Sequence, residues 1–250
     1  MPEITVNAVV LKRRDAGESD RRLTLLTLEL GKIDVLAKGA RKPTSRLAGC
    51  SEPLSVAVFG LAEGRQRFFV TQAQPVSSFR GLRTDYDRLT HALALTELYA
   101  AVLPFEQPLP EAYELLIRSF QSLEVHSKVI VASVWAQMEL LALSGFGPQL
   151  ECCVMTDQPF EVAEPWVSPE AGGVVNELDA LRFSDRFRVR AEVLFGLARI
   201  SDLVEPPANL KFAAEALETL HMFWRRAAEA PIPANESLVG EVRHSRLNIA

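Results

Sequence analysis

The sequence predicts an α+β protein in which a small five-stranded β-barrel precedes a helical domain. Three observations support this prediction. The first 80 residues contain short segments rich in Val, Leu, Thr and Phe, separated by turn residues. From Thr84 onward, apolar residues recur at helical spacing instead. Residues 1–80 carry 13 Lys and Arg against 8 Asp and Glu, whereas the remainder carries 14 against 24, so a basic head precedes an acidic body.

Five strands are expected in the basic head. Asp15-Ala16-Gly17 closes the first strand, Leu30-Gly31-Lys32 connects the second and third, and Ala62-Glu63-Gly64 joins the last two. Five short strands favour a small closed barrel, and the OB-fold is the commonest five-stranded barrel that binds nucleic acid. The predicted strands are Ile4–Lys12, Leu23–Glu29, Ile33–Ala37, Leu54–Phe59 and Arg67–Gln74. On the third strand, Ile33, Val35 and Ala37 are expected to face one way and Asp34, Leu36 and Lys38 the other.

Three amphipathic helices are expected next and are predicted to form one bundle. Thr84 or Asp85 caps the first helix, and Pro104 ends it. Gly145 and Gly147 end the third helix. The three apolar stripes are Leu89, Leu93, Thr96, Ala100 and Leu103; then Tyr113, Leu116, Ile117 and Phe120; then Val131, Val134, Trp135, Met138, Leu141 and Ala142.

Residues 148–180 lack periodicity and collect Pro, Gly and Asp, which predicts an irregular insertion. Helical spacing resumes at Phe187, breaks at Pro206-Pro207 and returns from Leu210 to Trp224. The tail from Pro231 is expected to be loose or locally pinned. We therefore expect a barrel domain over 1–80 and a helical domain over 81–250, with the insertion at 148–180.

Composition limits the classes of protein that fit. The chain is 48% apolar, which suffices for a sizeable core. The first residues lack the pattern of a secretory signal, and no uninterrupted apolar stretch is long enough for a membrane helix. Three cysteines, two of them adjacent at Cys152 and Cys153, do not make a disulfide framework. A soluble cytoplasmic protein is expected.

Enzymatic signatures are absent from the sequence. It contains no GxxxxGK[ST], GxSxG, HExxH or GxGxxG motif. Its four histidines, at 91, 126, 221 and 244, have no second histidine at i+3 or i+4. The carboxylates Glu18 and Asp20 lie in a polar loop, where solvation or turn formation accounts for them. These observations predict a protein that is not an enzyme and needs no cofactor.

The basic cluster is the stronger functional signal. If the first two strands pair as a hairpin, their basic residues meet at one rim of the barrel, where they can bind phosphates. Gly39, Pro43 and Gly49 are expected to keep the last basic group on a mobile loop. The alternative is a solvated loop of ordinary positive charge. The predicted DNA-binding residues are Lys12, Arg13, Arg14, Arg21, Arg22, Lys38, Arg41, Lys42 and Arg46. The nearby phenylalanines at 59, 68, 69 and 79 are expected to be mostly core.

The run from Gly17 to Leu54, GESDRRLTLLTLELGKIDVLAKGARKPTSRLAGCSEPL, resembles the N-terminal signature of the RecO family. The signature consists of a GE-x-D turn, a G-K turn, a strand ending in AKGAR, and a basic Ser-Arg loop. A weaker likeness continues through the segment LLALSGFGPQL at 140–150, which resembles the entry to that family's zinc-binding segment. The resemblance covers about residues 4–200.

This resemblance implies an OB-fold domain that contacts single- and double-stranded DNA, followed by a helical domain. It further implies a role in annealing strands and in loading a recombinase onto DNA covered by single-strand-binding protein. The implied partners are RecR and the acidic C-terminal tail of single-strand-binding protein. For that tail, Arg118 and Lys128 of the helical body are the candidate contacts.

The zinc segment departs from the family pattern. Cys153 stands at the first ligand position, but Thr156 stands at the second, and Asn176 and Asp179 replace the second cysteine pair. One thiolate with an aspartate and two neutral oxygens is a poor zinc site. The sequence therefore predicts a zinc-finger-like insertion that lacks most zinc ligands and binds no metal.

Two other classes of function remain open from sequence. One is a helical adaptor whose basic barrel binds an acidic protein partner. Salt-dependent DNA binding that is lost when the basic cluster is removed would separate DNA binding from this alternative, whereas no DNA binding at low salt would favour the adaptor. The other is a divergent hydrolase hidden among unmatched carboxylates, which turnover of a phosphoester would reveal.

Overall fold

The computed structural model describes residues 3–65 and 67–247. The chain forms two compact units, Met1–Glu124 and Val125–Ala250. The first unit contains the barrel and three helices, so it extends beyond the barrel domain expected at 1–80.

Five strands form a closed barrel in the order β1-β2-β3-β5-β4, as predicted. All neighbouring pairs are antiparallel except β3 and β5, which run parallel and close the barrel. The strands are β1 (Glu3–Ala16), β2 (Asp20–Thr27), β3 (Gly31–Ala37), β4 (Val56–Glu63) and β5 (Phe68–Ser77). A short 3-10 helix, Gly49–Ser51, lies between β3 and β4. Leu54 was expected to open the fourth strand, but it has a φ of 68° and precedes that strand.

Alternate residues of each strand fill the barrel. On β3 the residues that enter the barrel core are Ile33, Val35 and Ala37, which confirms the predicted alternation. Leu23 and Leu25 are their counterparts on β2. Because successive strand residues point to opposite sides, the residues between them face out of the barrel.

Helix α1 (Arg80–Thr84), α2 (Tyr86–Val102) and α3 (Pro110–Val125) follow the barrel. The Asp85 carboxylate accepts a hydrogen bond from the Arg88 amide and caps α2, and α2 ends before Pro104. Helix α2 contacts β1, whose outward residues Val9 and Leu11 are buried. Helix α2 therefore covers the barrel at β1.

His91 on α2 is buried, and burial lowers its pKa to about 4. The unfolded chain binds a proton near pH 6.5, whereas the folded chain does not until about pH 4. Stability that is fully present above pH 6.5 is therefore lost as the pH falls towards 4. Between pH 7 and pH 5, the unfolding free energy of the wild type should fall by about 2 kcal/mol more than that of His91→Leu, which has no imidazole to protonate at this position. Urea unfolding at the two pH values measures this, and equal losses would contradict it.

The second unit is mainly helical. Helix α7 contacts the other three long helices of this unit. Its elements are α4 (Val129–Leu143), β6 (Trp166–Ser168), β7 (Gly173–Val175), α5 (Glu177–Ala180), β8 (Phe187–Arg188), α6 (Ala191–Ile200), α7 (Ala213–Ala227) and α8 (Pro233–Leu247). The predicted bundle of the first three amphipathic helices is wrong, since α2 and α3 belong to the first unit and α4 to the second.

Three further expectations for this unit need correction. The region expected to be irregular contributes β6 and β7 to a small sheet in the order β7-β6-β8. Phe187 lies in β8 and Arg190 at the N-cap of α6, so the helix begins later than predicted. The tail expected to be loose or locally pinned forms α8, in which Asn235 and Leu238 are buried, as is Ile232 just before it.

Candidate nucleic-acid interface

The hairpin of β1 and β2 brings the first two basic groups together. Arg14 lies opposite Arg22 in the register of the two strands, and Asp15 lies opposite Arg21. The same strand register continues onto β3, where Leu36 lies opposite Arg22. The convergence expected from the sequence therefore occurs at the end of the barrel where the β1–β2 turn lies.

A β-bulge decides which of these cations face outward. The register between β1 and β2 shifts between Val10 and Lys12, so that Lys12 pairs with Thr24. Directly opposed residues share a face, and Arg22 lies next to the inward Leu23. The bulge therefore places Lys12 and Arg14 on the outside of the barrel with Arg22.

These outward cations form a surface that we call the outer basic face. It consists of Lys12, Arg14, Arg22 and Lys38. Within the described chain, the first three side chains have no hydrogen bond or ion pair. The Lys38 ammonium lies 4.8 Å from the centre of the Phe69 ring. Lys12, Arg14 and Arg22 can therefore contact a ligand without breaking a hydrogen bond or ion pair within the described chain.

Arg13 and Arg21 lie on the opposite side and hold the chain that crosses the barrel end. Both guanidinium groups contact the Glu52 carboxylate, at 2.7 and 3.0 Å. Arg21 also donates to the Ser51 hydroxyl at 2.6 Å and to the Ala48 carbonyl, and only 14% of its side chain is exposed. These two arginines position the segment after β3.

The third basic group lies on a loop that is tied to the β1–β2 turn. Arg41 donates to the Gly17 carbonyl and pairs with Asp15 at 3.4 Å. The Gly39 amide donates to Asp20, and this hydrogen bond lowers the pKa of that carboxyl. Successive hydrogen-bonded turns also run through the loop, at Lys42→Gly39, Ser45→Lys42 and Ala48→Ser45. The expected mobile loop is therefore a tethered one, on which Lys42 and Arg46 are exposed.

The adjacent residues Arg21 and Arg22 should respond differently to the same substitution. We expect Arg21→Met to lower the unfolding free energy by about 1–3 kcal/mol, because it removes hydrogen bonds from a half-buried cluster. Arg22→Met should leave stability almost unchanged but weaken DNA binding. Urea unfolding and fluorescence anisotropy with a labelled oligonucleotide test the pair. Equal behaviour of the two variants in both assays would contradict this division.

The sequence did not single out two further arginines, Arg65 and Arg67, or Phe105. With Arg22 and Phe68, they line a cavity of about 750 Å³ in the first unit. Phe105 is 52% exposed. The sequence signal that could have pointed to this site is a phenylalanine, Phe105, in a loop between Pro104 and Pro108.

The residues at the zinc-like positions do not fit a zinc ion. Cys153 Sγ accepts a hydrogen bond from the Asn176 amide at 3.3 Å, and the Asn176 side chain bonds to Asp179. Burial raises the pKa of the Cys153 thiol, but hydrogen bonds from Thr156 and from the amides of Met155, Asn176 and Thr156 outweigh it and lower the pKa overall. Over the described residues, no cluster of three or more His, Cys, Asp or Glu side chains is arranged to hold a metal. The degenerate metal site remains a prediction.

The candidate contacts for an acidic tail lie in different units. Arg118 is exposed on α3, and Lys128 is exposed just before α4, where its ammonium donates to Asn209 at 2.7 Å. Among the described residues, none of the helices has the length and apolar character needed to cross a bilayer.

Comparison with known proteins gives matches over both parts of the chain. Residues 1–79 match the family model of the Recombination protein O N terminal region, and residues 83–236 match that of the C terminal region. A DNA repair protein RecO from Heliobacterium modesticaldum is 40% identical over 182 residues, or 71% of this chain and 66% of that protein. The protein of that name from Dehalococcoides mccartyi is 31% identical over 89% of this chain and 94% of its own. The one from Synechococcus elongatus is 34% identical over 90% and 89%.

Proposed function

We propose, since this chain belongs to the RecO family of DNA repair proteins, that it binds DNA as a mediator of recombinational repair. The observation that carries this proposal is the outer basic face. Three of its cations lie side by side on a closed barrel with no internal partner in the described chain. Flexible cations on a rigid sheet suit the regularly spaced phosphates of a nucleic-acid strand.

The nine predicted DNA-binding residues would then divide between two tasks. Lys12, Arg14, Arg22 and Lys38 contact phosphates, as do the exposed Lys42 and Arg46 of the adjoining loop. Arg13, Arg21 and Arg41 hold that loop against the barrel end through Glu52, Asp15 and backbone carbonyls.

Strand annealing follows from the same electrostatics. Two complementary strands repel each other through their phosphates, and a protein that neutralises one strand lowers that repulsion. The acidic body, with 24 Asp and Glu against 14 Lys and Arg, repels DNA and confines it to the barrel. The mechanism is physical, and we infer that the protein makes and breaks no covalent bond.

We assign residues 1–80 to DNA binding and residues 81–250, including the degenerate zinc-finger-like insertion at 148–180, to partner recruitment. The partners proposed are RecR and the acidic C-terminal tail of single-strand-binding protein, with which the protein would load a recombinase onto single-stranded DNA. Arg118 and Lys128 are exposed cations of the helical body and the proposed contacts for such a tail. The protein is proposed to act in the bacterial cytoplasm, at the nucleoid.

A strand-annealing assay tests this function. Two complementary labelled oligonucleotides, coated with single-strand-binding protein, are mixed with the chain in the presence and absence of RecR. We expect faster annealing with the wild type and no acceleration when the outer basic face is reversed in charge. Binding of an acidic protein partner with no effect on annealing, and no binding of DNA at low salt, would favour the adaptor instead.

A further inference from the structure

The cavity of about 750 Å³ lies between β3, residues Glu63–Arg65 and Arg67, and the segment between α2 and α3. Its size is in the range of small-ligand sites. Two aromatic rings, Phe68 and Phe105, contribute to its wall. Arg22 belongs both to this wall and to the outer basic face, so the cavity adjoins the proposed path of the DNA phosphates.

The barrel holds Phe105 in place. The Glu106 amide donates to the Lys32 carbonyl at 2.8 Å, and Phe105 forms a parallel bridge with Lys32. The buried Lys32 ammonium donates to the Ala100 carbonyl at the end of α2 and lies 4.2 Å from the centre of the Phe105 ring. A half-exposed phenyl ring is thus held at the cavity by Lys32 of β3, whose ammonium is itself hydrogen-bonded to the end of α2.

The charges of the cavity differ from those of the outer basic face. Three guanidinium groups line the cavity, but so do three carboxylates. The former are Arg22, Arg65 and Arg67, and the latter are Asp34, Glu63 and Glu106. A balanced lining gives no net attraction for a phosphate chain. Instead, it offers acceptors and donors for the amino and carbonyl groups of a neutral heterocycle, next to aromatic rings.

From these observations we infer that the cavity takes an unpaired nucleobase of the strand whose phosphates lie on the outer basic face, with Phe105 as the stacking surface. This inference rests on the proposed function. A base inside a duplex cannot enter a side cavity without leaving its stack, so the site selects single-stranded DNA. The arginine shared between the two surfaces, Arg22, contacts the phosphate next to the bound base.

Anisotropy with two labelled oligomers of equal length and charge tests the inference. One is oligothymidylate, and the other is an abasic deoxyribose-phosphate chain. We expect the wild type to bind the base-bearing oligomer at least about 5-fold more tightly, as for the loss of one stacked base. Phe105→Ala should remove this preference and leave the affinity for the abasic chain unchanged, whereas Phe105→Tyr should retain the preference.

Phe146→Ala is the matched control, since Phe146 is 46% exposed but lies in the second unit. It should keep the wild-type preference. Equal binding of the two oligomers by the wild type, or a preference that survives in Phe105→Ala, would overturn the inference while leaving phosphate binding intact. Failure to bind either oligomer at low salt would overturn the proposed function together with the inference.

Discussion

Reversal of all four cations of the outer basic face to glutamate is expected to weaken single-stranded DNA binding by about 100-fold or more at low salt. Each cation that meets a phosphate releases a condensed counterion, so losing four of them removes much of the electrostatic free energy of binding. The substituted side chains are at least partly exposed and leave the barrel core untouched. Anisotropy with a labelled oligonucleotide measures the loss, and circular dichroism confirms that the variant is folded.

The matched control has the same change in net charge elsewhere. Arg199, Lys211, Arg225 and Arg226 are exposed in the second unit, and their replacement by glutamate alters the total charge equally. We expect this control to bind DNA nearly as well as the wild type. If it loses as much affinity, binding depends on total charge and the barrel has no special part in it.

Gly31→Ala is expected to destabilise the protein by about 2–4 kcal/mol. Gly31 has a φ of 72°, which costs an L-residue about 1 kcal/mol or more. In addition, a Cβ at this position would collide with the Gln107 carbonyl, a backbone group that cannot move aside alone. Urea unfolding measures the effect.

Gly17→Ala separates the destabilisation caused by backbone strain from that caused by the collision of the new Cβ. Gly17 has a similar φ of 65°, but its Cβ would meet no heavy atom within 4 Å. It should therefore lose only about 1 kcal/mol. Equal losses at the two glycines would show that the segment after α2 does not rest on the β2–β3 turn as described, and would weaken the case for a fixed Phe105.

Much of the first unit was predictable because its signals are local. Turn residues divide the strands, Asp85 caps α2, and Pro104 follows its end. The packing partner of each helix was not predictable, since an apolar stripe fits a sheet as well as another helix. This is why α2, which covers β1, was assigned to a bundle.

The candidate site was predictable as a group of residues but not as a surface. Strict alternation from Val10 would put Lys12 and Arg14 on the inner side of β1, and only the bulge against β2 turns them outward. Likewise, nothing in the adjacent letters of Arg21 and Arg22 shows that one is held by Glu52 while the other is open to a ligand. Those differences depend on strand register and on Ser51 and Glu52, which lie 30 and 31 positions from Arg21.

Photo-crosslinking tests most directly whether DNA lies on the outer basic face. We would place p-benzoylphenylalanine at Leu36, which lies opposite Arg22 on β3, and separately at Leu178, which is 82% exposed in the second unit. Irradiation with a labelled single-stranded oligonucleotide should give a covalent adduct at position 36, weakened by salt, and little at position 178. An adduct at 178 with none at 36 would contradict the assignment of DNA binding to the barrel.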